Sequence, residues 1–468
     1  MSNIGDDYMN GKKKIYLALA LFLSVVLVFG IWFIFDNKGN TLNDNDNYNY
    51  YIAAFIDGES STTFPTSADY ITEVVCKKND NTLLSINATA SWTGTKWKLS
   101  IKDASYANIY CNVNFITKTT WESPGEGTLL AAIKRDNTVG TPLTTPGRAK
   151  TADNEAVLAS TEDDYGTSYY FRGAVTNNYV EFANKCWRIV RVEGSDSIKL
   201  VLHNDNTSAA ASPCSSANNS SSAGFAHYSG SNYTSTFNDN YDDNAYVGFM
   251  YGTAGATSYT AAHTNTNKSL ILKNLETWYT KNLESYENNL ADTIWCGDKS
   301  VFKTFASGRD WGTGLGYAKN QTGYGAFNRT FGGGAANYAV PSLVCPNDNN
   351  GGKLSKYTVS DIVNGNGVLD KKVGLLTMDE LAFAGYFGSD SNSNLYLCEN
   401  TTADYWWSIS PCSFLNGYAG IFRVGGTDGN LSSYANTLRG VRPAISVLPT
   451  VKISSGYGTS SNPYKIVA

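Results

Sequence analysis

The sequence predicts an α+β protein tethered by one N-terminal membrane helix, and three observations carry that reading. A 21-residue run without a charge, Ile15–Phe35, stands near the start. Beyond it, short runs alternate apolar and polar residues with period two, the mark of half-buried strands. Among those runs stand a few stretches at helical spacing, one with a capping box. Composition narrows the function. Charged residues are 16% of the 468, against about 25% in ordinary soluble chains. Aromatics are 13%, which excludes disorder over the whole length. The net charge is −5 and no basic cluster follows Lys14, so no nucleic-acid partner is expected.

The elements follow in chain order. Residues 1–14 end in Lys12-Lys13-Lys14 and form the expected cytoplasmic tail. Residues 15–35 span about 30 Å as a helix, the thickness of a bilayer core. The three lysines keep the N-terminus inside and place the bulk of the chain outside the cell. A cleaved signal peptide would have a shorter core and a small-residue cleavage site; Phe29-Gly30-Ile31-Trp32-Phe33 offers none. The expectation is a single-pass cell-membrane protein whose exterior part carries a net charge of −6, because Asp6, Asp7 and the three lysines fall on the other side. Residues 36–50 are a polar linker.

Residues 51–118 read as a small immunoglobulin-like β-sandwich of antiparallel strands. Trp97, Leu99 and Ile101 alternate with Lys98 and Ser100; Ile109, Cys111, Val113 and Phe115 alternate with Tyr110, Asn112 and Asn114. Residues 119–164 hold one helical stretch, Thr128–Lys134, and three turn formers, Pro142, Pro146 and Gly147, and read as a connector. From 165 to 468 a larger domain follows. Phe182–Val192 and Ile198–Leu202 are strands about a Glu193–Asp196 turn. Residues 204–244 form a long polar loop. The apolar positions 271, 272, 275, 278, 279 and 283 predict an amphipathic helix over Lys268–Leu283. Thr377 and Glu380 form a capping box that starts a helix Met378–Ala384, and Gly385 ends it.

All eight cysteines lie beyond the apolar run, in a compartment that permits disulfides. Spacing alone leaves their connectivity open. Nearest neighbours give the simplest set: Cys76–Cys111, Cys186–Cys214, Cys296–Cys345 and Cys398–Cys412. No two are close enough for a zinc motif.

Several signatures occur in order in the larger domain: Cys186-Trp187-Arg188-Ile189-Val190, Leu275-Glu276-Thr277-Trp278-Tyr279, Val373-Gly374-Leu375-Leu376-Thr377, Tyr405-Trp406-Trp407-Ser408, and Gly440-Val441-Arg442-Pro443. This order resembles a family of bacterial cell-surface proteins. Their large domain is similar to the C-type-lectin fold of formylglycine-generating-enzyme-like and variable receptor-binding proteins. The resemblance implies a lectin-like domain with short helices and long loops. The calcium-binding triplets of sugar-binding lectins are absent, so no activity travels with the fold.

Chemistry is sparse. His203, His227 and His263 have no metal-ligand spacing, and the last two lie in polar loops and read as solvated. Asp379–Glu380 and Asp242–Asp243 are the carboxylate pairs a glycosidase would need, but nothing organises them. No catalytic residue, metal or cofactor is expected. The expected function is recognition or adhesion toward an extracellular protein or glycan through loops rich in aromatics, Asn and Gly. The candidate ligand-binding residues are Tyr405, Trp406, Trp407, Arg423, Asn430 and Arg442. An extracellular enzyme of the formylglycine-generating type and a structural envelope protein are the alternatives.

Overall fold

The computed structural model describes residues 49–56, 59–78, 88–101, 108–117, 127–149, 151–331, 336–348, 354–387, 394–425 and 431–467. The expected tail, the membrane helix over 15–35, most of the linker, and Asn430 lie outside them. No helix among the described residues is long and apolar enough to cross a membrane. The fold is mixed α+β, with sheets dominant and helices few. It divides into two compact units, Met1–Glu122 and Ser123–Ala468.

The first unit has strands β1 (Asn49–Ile56), β2 (Glu59–Ser61), β3 (Tyr70–Lys78) and β6 (Asn108–Thr117) in one sheet, in the order β2-β1-β6-β3. A hairpin of β4 (Ala88–Trp92) and β5 (Trp97–Ile101) supplies further core residues. The alternation works as expected: Val113 and Phe115 on β6 pack with Ala54, Ala90, Trp97 and Leu99. One expectation, antiparallel pairing throughout, is corrected. β1 and β6 pair in parallel, since no tight turn joins the first and last strands to impose the antiparallel sense. The Cys76–Cys111 bridge joins directly opposed residues of neighbouring strands β3 and β6. It therefore ties one sheet together and does not cross between layers.

The second unit takes in much of the expected connector. Helix Leu129–Asp136, capped by Thr128, buries Leu129, Leu130, Ala132 and Ile133. Strand β7 (Ala156–Asp163) pairs with β8 (Gly166–Gly173). The main sheet continues with β9 (Tyr179–Phe182), β10 (Lys185–Val192) and β11 (Ile198–Asn204). Strand Ala444–Val447 flanks β11 and Tyr464–Ile466 flanks β9, so segments from early and late in the unit meet in one sheet. The run expected as a single strand from Phe182 is broken by Ala183 and Asn184, both at positive φ. They form a two-residue hairpin turn of the sort whose twist suits flanking strands.

The second large sheet centres on Trp406–Leu415, flanked by Tyr418–Val424 on one side and Thr322–Tyr324 on the other. Asn416 and Gly417, both at positive φ, make its hairpin turn. The expected helices appear. Leu270–Asn282 buries Ile271, Leu272, Leu275, Trp278 and Tyr279. Met378–Ala384 carries the Thr377/Glu380 capping box and ends on Gly385 at φ 111°.

Three of the four expected bridges form: Cys76–Cys111, Cys186–Cys214 and Cys296–Cys345. The second ties the long loop after β11 to β10, where Phe225 and Phe237 also anchor it in the core. Cys398 and Cys412 are free thiols, which corrects the fourth pairing. Cys412 is fixed inside the central strand. Cys398 closes a short turn, Tyr396–Cys398, whose Leu397 carbonyl is held by Arg442. Burial pushes both thiols up to about 12, so neither is a thiolate near neutral pH. Alkylation at pH 8 should label no cysteine in the native protein and two after denaturation without reductant. Failure to find the two thiols after denaturation would mean a fourth bridge.

Candidate ligand-binding surface

The sheet around Trp406–Leu415 brings together some of the expected site residues and separates others. Trp406 and Trp407 are adjacent in a strand and so face opposite sides, yet both are 0% exposed. The strand lies between two covered layers, so neither indole reaches the surface. The Trp407 indole donates to the Ser235 carbonyl at 2.9 Å and meets Phe237 edge-on. Trp406 lies under the Arg442 guanidinium at 4.8 Å. Arg442 is itself fully buried. It donates to the Leu202 carbonyl at 2.9 Å and to that of Leu397. Burial lowers its pKa to about 10, so it stays charged at neutral pH. Arg442 thus links Trp406 of this sheet to Leu202 on β11 of the main sheet.

Tyr405 and Arg423 do meet, at the far end of strand Tyr418–Val424. The Arg423 guanidinium lies 3.7 Å over the half-buried Tyr405 ring, with that of Arg439 at 5.0 Å. Arg439 also donates to Ser433 Oγ at 3.1 Å and faces Asp404 at 3.4 Å. Desolvated guanidinium–ring contacts of this kind contribute about 1–2 kcal/mol and fix the ring's orientation.

A second aromatic group sits at the hairpin end of the same strand. Tyr418 stacks on Tyr241 at 5.2 Å and on Tyr434 at 4.2 Å, with interplanar angles of 11° and 17°. Tyr434 is 53% exposed and Leu438, close by in sequence, is 57% exposed. The short strand Ser432–Tyr434 borders this side of the sheet and links the two groups: Tyr434 enters the stack and Ser433 contacts Arg439. Tyr241, Tyr418, Tyr434 and Arg439 were not expected from the sequence. With 31 tyrosines in the chain, residue type alone singles out none of them. The one usable signal was the position of Tyr434, two residues after Ser432 on an alternating strand.

The carboxylate pairs have structural duties. Asp243 caps a helical turn by accepting from Ala245 N, and exposed Asp242 faces Lys319. Asp379 holds Arg329 at 2.8 Å, and Arg329 also reaches Asp298 at 2.6 Å. Glu380 accepts from Lys199 at 2.9 Å and Arg191 at 3.1 Å. Arg191 further pairs with Asp163 and Glu193. Asp163, Arg191, Lys199, Asp379 and Glu380 border a cavity of about 20 Å³, room for about one water molecule. No group of three or more potential metal ligands occurs among the described residues. His227 is half-buried against Asp205 at 3.1 Å. His263 is fully buried, which corrects its expected solvation. Compared with protein-family models, curated proteins and solved structures, the chain has no match.

Proposed function

We propose that the chain is a single-pass surface protein, N-terminus inside, which recognises an extracellular protein or glycan through its larger, C-type-lectin-like unit. The smaller immunoglobulin-like unit serves as the stalk. The observation that carries this reading is the tyrosine stack, exposed at Tyr434, joined through one strand to the arginine-clamped Tyr405. Tyrosine offers a large contact area with few rotors to freeze. Stacking and guanidinium contacts order these rings before any ligand arrives, which lowers the entropic cost of binding. The apolar run over 15–35 supports the anchor, and three disulfides suit an oxidising exterior.

The test uses the full chain in lipid nanodiscs on arrays of glycans and of cell-surface proteins. Saturable binding to a defined class of probe is the expected result; silence on every array would favour a structural envelope role.

A further inference from the structure

Among the described lysines of the larger unit Lys299 is the most deeply buried, at 0% exposure, and its surroundings are those of a reaction partner. Its Nζ donates to the Asn265 carbonyl oxygen Oδ1 at 2.6 Å and to the Met250 carbonyl at 3.1 Å. Nζ has no carboxylate partner among the described residues. Burial lowers its pKa to about 8, only partly offset by the more distant Asp348. A neutral, nucleophilic amine is therefore within easy reach near neutral pH. Asn265 is itself constrained. Its backbone sits at φ 57°, its Nδ2 donates to the Leu354 carbonyl, and its Oδ1 accepts from the Tyr357 hydroxyl at 3.3 Å.

The wall around the pair is aromatic and acidic. The Tyr357 ring lies 5.8 Å from Nζ, and Tyr259 donates to the Lys299 backbone carbonyl at 2.7 Å. Burial raises the Asp348 carboxyl. One of its oxygens accepts from Ser355 Oγ at 2.9 Å, and that hydroxyl also receives the Lys299 backbone N–H at 3.3 Å. The other oxygen, Oδ1, is buried with no partner. Burial and the Lys299 charge push buried His263 well below its ordinary value, so the imidazole adds no competing positive charge.

We propose that Lys299 and Asn265 join in an intramolecular isopeptide bond. The lone pair of neutral Nζ attacks the Asn265 Cγ, and the carbonyl π pair moves onto Oδ1, where the Tyr357 hydroxyl donates. Collapse of that adduct re-forms the carbonyl and expels Nδ2, which takes a proton from the attacking nitrogen and leaves as ammonia. One C–N bond forms and one breaks. Lysine ammonium and carboxamide become a secondary amide and an ammonium ion, with no oxidant or reductant. Amide exchange is slow in water, but a fixed pair held in contact and shielded from solvent gains a large effective concentration. Tyr357 is the catalytic residue, touching the reacting oxygen; Asp348 and Ser355 position the lysine's backbone. The bond would close a second covalent loop beside the Cys296–Cys345 bridge.

The experiment is mass spectrometry of the full chain, folded, then denatured and fully reduced. The expected mass is lower than that of the sequence by one ammonia. Proteolysis should release one branched peptide containing both Lys299 and Asn265, and K299M should restore the full mass. A wild-type chain with no deficit overturns the proposal, whether or not K299M folds. A deficit that persists in K299M also overturns it, because the ammonia would then be lost without Lys299, as in cyclic imide formation at an asparagine. In Y357F the branched peptide should form more slowly on refolding; an unchanged rate would remove Tyr357 from the reaction.

Discussion

Replacing Glu380 with alanine should lower the stability of the larger unit by about 3–5 kcal/mol, the cost of removing one partner from a buried charge network. This carboxylate has three duties. It accepts from Lys199 and Arg191, and its second oxygen accepts from Thr377 N at 2.9 Å to complete the capping box. Its loss leaves two buried cations short of a partner and one backbone N–H unsatisfied. Burial alone would raise the Glu380 pKa, but Lys199 and Arg191 outweigh it and hold the group at about 2 against an ordinary 4.5. A folded-state pKa below the unfolded one stabilises the fold above the unfolded value, and that contribution is lost as pH falls through the folded one. The Glu380 share is therefore present above pH 4.5 and disappears as the pH drops toward 2. Urea unfolding of wild type and Glu380→Gln across pH 2–7 checks this. Wild type should lose stability toward pH 2, and the glutamine variant should start lower and show a shallower acid slope. Parallel acid slopes for the two would contradict the assignment.

Trp406→Ala should cost about 3–5 kcal/mol, the usual range for a fully buried tryptophan. The residue is 0% exposed and supports the Arg442 guanidinium, which in turn holds the Leu202 and Leu397 carbonyls. The substitution thus opens a cavity and loosens a buried cation together. Denaturant midpoints should fall strongly for Trp406→Ala and for Trp407→Ala, whereas Tyr434→Ala, at a surface position, should change stability by less than about 1 kcal/mol. A Trp406→Ala protein as stable as wild type would place that side chain at the surface after all.

These two sites show what the sequence could and could not convey. Glu380 was legible because a capping box is local: donor and acceptor lie three residues apart. Helix Leu270–Asn282 was legible because its five buried residues repeat at helical spacing. Its partners were not: Trp278 donates to Asp205, which sits far upstream in the chain. Trp406 and Trp407 stand among the candidate binding residues, but their strand is covered on both faces, and periodicity does not report a second covering layer. Nearest-neighbour pairing found the three bridges and failed at Cys398 and Cys412, where turn and strand hold the thiols apart. The tyrosine stack draws on three separate segments, and only the folded sheet brings Tyr241, Tyr418 and Tyr434 together.

The claim that this surface is where the protein meets its ligand has one direct measurement. The array probe bound most strongly by the full chain is titrated against wild type, Tyr434→Ala and Tyr405→Ala, with thermal midpoints recorded alongside. The predicted result is at least about tenfold weaker binding for both variants, equivalent to about 1.4 kcal/mol, with Tyr434→Ala melting as wild type does. Equal affinity for all three proteins would contradict it and move the recognition surface elsewhere on the chain.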